Sequence, residues 1–336
     1  MNNRPARLAA LDFVARTHRI ASRHENWLAL AVHEKRRADI TPANAVGVVL
    51  LVHGATLSSV LFDIPVPGRS WVEHLAEAGF IVFALDVRGY GQSSRPAAMD
   101  QPPEANPPVA RAAEAVLDID DAVLFIREKT GRTRIDLIGG SWGSVTCGLY
   151  ASSPGAAHIR RLVLYAPLFS DRNPGWLEWI EDPERPGALH PAIGAYRLVS
   201  VEANHTRWLS ELDGAGNRNL LEPTTFDALM AAFLATDDTA PSRRPPAVRV
   251  PNGTLVDLLD VFTSRPLYRP EDIRCPVLLI RGANDPTSTA RDAEGLLARL
   301  GTRKASLVTI TPGTHFVSAE VNAPQVYAAS EGFLKE

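Results

Sequence analysis

Two short runs of almost unbroken apolar residues, VGVVLLV at 46–52 and FIVFALD at 80–86, restrict the folds open to this chain more than any other feature. A strand with one face in water alternates apolar and polar positions. A run that is apolar throughout predicts a strand covered on both faces, as in a parallel sheet between two layers of helices. Between the two runs, SWVEHLAEAG at 70–79 has helical spacing and ends at Gly79, so the three segments form a β-α-β unit. The plan repeats with a helix over 109–131, the strand RIDLIGG at 134–140, a helix beginning at Trp142 and the strand RRLVLYA at 160–166. It resumes with PVLLIRG at 276–282, a helix over 288–301, ASLVTIT at 305–311 and a closing helix near 323–334. Such alternation predicts a doubly wound, mostly parallel sheet with reactive residues at the carboxyl ends of its strands. Ahead of it, THRIASRH and WLALAVHEK, joined by a turn at Glu25 and Asn26, predict a hairpin that opens the sheet.

From about Pro167 to Pro270 the pattern lapses: Pro, Gly and Trp are frequent, helical spacing is broken and no buried parallel strand stands out. The expectation is one core, residues 1–166 and 271–336, with an inserted, mainly helical cap or lid at 167–270. The Pro-rich stretch at 94–108 reads as a long surface loop.

Charge excludes some partners. With 35 basic and 38 acidic side chains the formal charge is -3, which supplies no field to gather nucleic acid or an anionic membrane, so a small-molecule substrate is expected. The two cysteines, Cys147 and Cys275, have neither metal-ligand spacing nor a disulfide framework and are expected to be buried free thiols. The first twenty residues carry arginines throughout and lack the apolar core of a signal peptide, and no uninterrupted apolar run reaches the roughly 18 residues of a membrane span. A cytoplasmic location is expected.

Gly139-Gly140-Ser141-Trp142-Gly143 is a G-x-S-x-G pattern set between an apolar strand and a helix, where such a turn exposes a serine hydroxyl. A serine hydroxyl is a poor nucleophile at neutral pH and needs a base within hydrogen-bond reach, itself oriented by a carboxylate. Asp285 follows PVLLIRG in Ala-Asn-Asp-Pro, and His315 follows ASLVTIT in Pro-Gly-Thr-His-Phe, so acid and base both fall at strand ends. Asp171, just after the strand at 160–166, is the competing acid. The oxyanion of a tetrahedral intermediate needs backbone donors. Trp142 N–H, at the start of its helix, is one candidate. Ala55 N–H, in the loop His53-Gly54-Ala55-Thr56, is the other, with Thr56 adding a side-chain donor and His53 shaping the loop by hydrogen bonding.

With its His-Gly loop, the segment Asp86-Val-Arg-Gly-Tyr-Gly-Gln-Ser93 and the serine elbow, the chain resembles the α/β-hydrolase superfamily over nearly everything outside the cap. The resemblance implies the α/β-hydrolase fold and a serine hydrolase with Ser141, Asp285 and His315 as its triad. It gives the 86–93 segment a structural role, with Arg88 and the glycines shaping the loop. The six residues from Gly139 to Ser144 also resemble the elbow of proline iminopeptidases. Those usually have His-Gly-Gly-Pro-Gly and Asp-Gln-Arg-Gly where this chain has His-Gly-Ala-Thr and Asp-Val-Arg-Gly. A serine nucleophile also separates the chain from the dehalogenase and epoxide-hydrolase branches, which use aspartate.

Hydrolysis of a carboxylic ester, or a related lactone or thioester, through an acyl-enzyme on Ser141 is therefore the leading expectation, with no metal or organic cofactor required. Aminopeptidase or amidase activity is the alternative, followed by a non-catalytic ligand-binding protein. Trp176, Trp179 and Trp208 are the candidate pocket residues of the cap, accompanied by Leu177, Phe226, Met230 and Phe233. Glu178, Glu181 and Glu202 are the carboxylates an aminopeptidase would use for its substrate's ammonium group, although solvated surface charge is the preferred reading for them.

Overall fold

The computed structural model describes residues 12–336; the expected start of the core at residue 1 and part of the arginine-bearing N-terminal segment, residues 1–11, lie outside the described residues. In chain order the elements are β1 (Phe13–Ala21), β2 (Ala29–Arg37), β3 (Val48–Val52), α1 (Trp71–Glu77), β4 (Ile81–Asp86), α2 (Ala112–Thr130), β5 (Ile135–Gly140), α3 (Trp142–Ala151) and β6 (Ile159–Tyr165). Then come α4 (Pro174–Ile180), β7 (Tyr196–Ser200), α5 (Val201–Gly214), α6 (Pro223–Leu234), β8 (Ala247–Pro251), α7 (Gly253–Phe262), β9 (Val277–Gly282), α8 (Ala290–Arg299), β10 (Ala305–Ile310) and α9 (Ala323–Lys335).

Eight strands form one sheet in the order β1-β2-β4-β3-β5-β6-β9-β10. The opening hairpin pairs antiparallel, β2 also runs antiparallel to β4, and every other neighbouring pair is parallel. The apolar runs explain why the sheet is covered twice. Leu50, Val52, Phe83 and Leu137 point to the side of α2 and α3, against Ile119, Ile126 and Val145, whereas Val49, Leu51, Val82 and Ile138 point to α1 and α9, against Trp71, Leu75 and Tyr327. Each such side chain contributes roughly 1.5–3 kcal/mol by leaving water, which no one-faced sheet would obtain from consecutive residues.

β3 lies between β4 and β5, so the chain's crossovers diverge there, and a crevice opens beyond the carboxyl ends of β3 and β5. The loops carrying His53 and Ser141 leave the sheet at that point. Between β6 and β9 the chain leaves the sheet for a mainly helical insertion, which also holds a two-stranded antiparallel ladder of β7 and β8. Neither strand was expected, because each is only five residues long and its partner lies far along the chain. The insertion is anchored to the core through Asp257 on α7, whose carboxylate accepts from Trp142 Nε1 at 3.0 Å and Ala112 N at 2.7 Å. The Pro-rich stretch is more than a surface loop. It folds into short 3-10 turns, buries Met99 and packs on the ladder, where Arg249 Nη1 donates to the Met99 carbonyl at 2.8 Å. No helix among the described residues is long and apolar enough to cross a membrane.

Candidate active site

Ser141 sits between β5 and α3 with φ 56° and ψ −121°, a conformation an L-residue adopts only when its surroundings impose it. They do so here. Ser141 N–H donates to the Tyr165 carbonyl at 2.8 Å, and Ser144 N–H donates to the Ser141 carbonyl at 2.7 Å. A Cβ at Gly143 would collide with the Val52 and His53 carbonyls, so only glycine lets α3 start this close to the end of β3. The serine side chain makes no capping bond to its own helix and is free to face the crevice.

His315, in the loop after β10, brings Nε2 to 2.9 Å from Ser141 Oγ and Nδ1 to 2.8 Å from Asp285 Oδ2. An ionised carboxylate only accepts, so Nδ1 carries the proton and Nε2 is left to accept from the hydroxyl. The other oxygen of Asp285 accepts from Thr287 N and Ser288 N, each at 2.8 Å. The carboxylate therefore cannot turn away from the imidazole without breaking two further bonds. Asp171 is engaged elsewhere: it accepts from Thr289 Oγ1 at 3.0 Å and lies 3.3 Å from Arg291 Nε, which ties it to α8.

The His53-Gly54 turn passes close to Ser141, near enough that a Cβ at Gly54 would stand 3.0 Å from Ser141 Cβ. His53 is buried and neutral. Its Nε2 accepts from Val87 N at 3.1 Å, so Nδ1 bears the proton and donates to the Gly54 carbonyl at 2.8 Å, while burial holds its pKa below the ordinary histidine value. The Gly54 carbonyl and Ala55 N–H belong to the same peptide, so this bond aims Ala55 N–H as well. The next carbonyl, that of Ala55, accepts from Tyr90 Oη at 2.9 Å and Arg197 Nη2 at 2.8 Å. Among the described residues neither Ala55 N–H nor Trp142 N–H donates to a protein acceptor. The 86–93 segment braces this loop from behind. Asp86 accepts from Gln92 N, His33 and Ser59 Oγ; burial alone would raise its carboxyl, but His33 above all, with His53 and Ser59, holds it well below the usual range, and Arg88 is buried in a bidentate pair with Asp118.

A small cavity of about 40 Å³ touches Ser141 and His315, and a larger one of about 560 Å³ lies beside it. Thr56, Trp176, Arg207 and Thr287 line both. Trp179, 51 % exposed, stands at the wall of the larger cavity. Trp208 does not line either cavity and corrects the expectation placed on it. It is 1 % exposed, stacks on Phe316 at 4.6 Å and donates to Glu320 Oε1 at 3.1 Å, so it backs the wall and does not form it. Leu177, Phe226, Met230 and Phe233 are buried packing residues. Glu178 and Glu202 are exposed, and Glu181 accepts from Gly187 N at 2.6 Å; none of the three lines these cavities.

Three contributors carry no local sequence signal: Arg197 on β7, and Arg207 and Glu211 on α5. Glu211 Oε2 accepts from the backbone N–H of His315 at 3.0 Å, and Oε1 lies 3.4 Å from Arg207 Nε. The insertion thereby steadies the loop that carries His315. Burial, only partly offset by Arg207 and His315, pushes the Glu211 carboxyl above its usual range. A carboxyl with a raised folded-state pKa stabilises the fold fully only in acid, and that contribution falls as pH rises through the folded value. Glu211→Gln keeps an acceptor for His315 N–H and removes the titration. Its melting temperature relative to wild type is expected to rise as pH is raised above the ordinary carboxyl value of 4.5. A difference that stays flat as pH is raised, measured by thermal unfolding, would contradict the burial of an ionisable Glu211.

Residues 47–320 match the model of a family described as alpha/beta hydrolase fold. An esterase from Thermogutta terrifontis superposes on 96% of this chain and 98% of its own, with TM-score 0.61 and 18% identity. An esterase from Exiguobacterium antarcticum covers 95% of this chain and 99% of its own at TM-score 0.62 and 14% identity. An enol-lactonase from Burkholderia xenovorans covers 95% and 100%, at TM-score 0.57 and 16% identity. At these identities the likeness is one of fold. No curated protein sequence matches the chain.

Proposed function

Since the chain belongs to the alpha/beta hydrolase fold family, we propose that it is a serine hydrolase cleaving a carboxylic ester, or a related lactone or thioester, of a small, partly apolar substrate. Ser141 Oγ attacks the carbonyl carbon as its proton passes to His315 Nε2 across the 2.9 Å hydrogen bond. Asp285 stabilises the imidazolium. The oxyanion is received by Ala55 N–H and Trp142 N–H, the latter at the positive end of α3. Collapse of the intermediate transfers the proton from His315 to the departing alcohol and leaves the acyl group on Ser141. Water, deprotonated by the same imidazole, then releases the acid and restores the serine.

The observation that carries this reading is the continuous Ser141–His315–Asp285 hydrogen-bonded chain, flanked by the backbone N–H groups of Ala55 and Trp142, which have no protein acceptor among the described residues. In the same reading the segment 167–270 is the cap that gives the substrate its cavity, a role supported by Trp176, Trp179, Arg197, Arg207 and Glu211, all of which line it. The aminopeptidase alternative is disfavoured by the same wall. Two guanidiniums stand where a substrate ammonium would have to bind, and Glu211 is already shared between Arg207 and His315 N–H.

A panel of p-nitrophenyl esters of increasing acyl length, run beside prolyl and alanyl amides, tests the reaction class. Ester cleavage that outruns both amides is expected. Faster prolyl-amide cleavage would overturn the assignment to esters.

A further inference from the structure

The wall of the larger cavity carries more positive charge than the protein neutralises. Arg197 Nη1 donates to the Pro251 carbonyl at 3.1 Å and to Asn252 Oδ1 at 3.0 Å, and Nη2 donates to the Ala55 carbonyl at 2.8 Å and Thr56 Oγ1 at 3.2 Å. Every one of these acceptors is neutral. Burial without a counter-charge pushes the Arg197 pKa down to about 10.

Arg207 is held between two aromatic rings, with its guanidinium carbon 5.1 Å from the Trp176 ring centroid and 5.0 Å from that of Phe316. Its Nη2 is buried with no hydrogen-bond partner among the described residues. Glu211 is the one carboxylate among the described residues that line either cavity; its Oε1 lies 3.4 Å from Arg207 Nε, and its other oxygen accepts from His315 N–H. A buried charged donor left without an acceptor is costly, and the residue that carries it lines the cavity of Ser141. An acceptor on the substrate would remove that cost. The two rings restrict the orientation of a guanidinium that is planar by its own delocalisation, and a fixed planar fork is the arrangement in which arginine binds carboxylates.

Building on the ester-hydrolase reading, we propose that the substrate is an anionic ester whose acyl part carries a carboxylate a few atoms from the scissile carbonyl, bound by the Arg207 guanidinium with Arg197 adding charge from the cavity wall. The short spacing follows from Arg207 lining the cavity of Ser141 itself as well as the larger one. Trp179 and Leu198, the latter 55 % exposed, lie on the larger cavity and offer an apolar mouth to the alcohol portion.

The test compares p-nitrophenyl hemiglutarate with p-nitrophenyl valerate, which differ in the terminal charge. In wild type, kcat/KM for the hemiglutarate is expected to exceed that for the valerate by about tenfold or more, as a charge-assisted hydrogen bond supplies. Arg207→Met is expected to lower this ratio about tenfold, Arg207→Lys to retain part of it, and Arg197→Gln, on a different element, to lower it as well. Arginines that only brace the fold would slow both esters together and leave the ratio unmoved, which would overturn the inference while the ester-hydrolase reading stood. A wild-type ratio of one or less would do the same.

Binding to Ser141→Ala protein supplies a readout without turnover. Calorimetry is expected to show methyl hydrogen glutarate binding about tenfold more tightly than methyl valerate. If neither ester were hydrolysed, the function reading would fail and this pair would still decide the carboxylate site: a preference for the anion supports it, and equal or no binding overturns it.

Discussion

Ser141→Ala is expected to lower ester turnover by about 10⁴-fold or more with the fold intact, because the proposed attacking atom is lost while the cavity and the Ala55 and Trp142 N–H groups remain. The residual rate would be attack by water in a site that still stabilises the oxyanion. Two features of the turn make the variant a clean one. Alanine at φ 56° meets the same backbone restriction as serine, and the bonds that impose that conformation run through the Ser141 backbone, not its side chain. The hydroxyl also makes no capping bond to α3. A serine that served only as a helix cap would behave in the opposite way, with stability falling by about 1 kcal/mol and turnover unchanged. Steady-state kinetics with a p-nitrophenyl ester and a thermal melt separate the two. Turnover within tenfold of wild type would remove Ser141 from the role of nucleophile.

The second large effect is expected of Asp285→Asn, at about 10⁴-fold in kcat. Thr287 N–H and Ser288 N–H both donate to one oxygen of the carboxylate. An asparagine must keep its carbonyl oxygen there, which turns its NH₂ group toward His315 Nδ1. That nitrogen would then have to accept, the ring proton would move to Nε2, and Nε2 could no longer take the proton of Ser141. The variant would keep the geometry of the site and lose the correct tautomer. The opposite amide orientation would set NH₂ against two N–H donors and forfeit both bonds. Asp171→Asn serves as the comparison, since Asp171 is tied to Thr289 and Arg291, and its loss should leave turnover within a few fold. A reversal, with Asp171→Asn severe and Asp285→Asn mild, would transfer the acid's role to Asp171.

The parts of the site that were legible in the sequence are those built by local pattern. Ser141, Asp285 and His315 each follow an apolar strand, and parallel strands deliver their carboxyl ends to one edge, so order along the chain was enough to group them. Ala55 was accessible for the same reason. What stayed hidden depends on pairing across large separations. The bond from His315 N–H to Glu211 spans 104 positions, and that from Arg197 to the Ala55 carbonyl spans 142. No periodicity on α5 distinguishes Arg207 and Glu211 from an ordinary (i, i+4) ion pair on a helix surface. Composition also failed at Trp208. An aromatic residue in a cap serves equally well as pocket wall or as backing, and only the stacked Phe316 ring and the bond to Glu320 show that this one is backing. The β7–β8 ladder was missed on similar grounds, since a half-exposed five-residue strand gains its meaning only from its partner.

The most direct test of the central claim, that Ser141 is a nucleophile activated by His315, is covalent labelling by a fluorophosphonate followed by peptide mass spectrometry. A single adduct on the peptide containing Ser141 is expected, formed at least about 10³-fold more slowly in His315→Ala. An adduct at another residue, or labelling of Ser141 at the wild-type rate when His315 is absent, would contradict it.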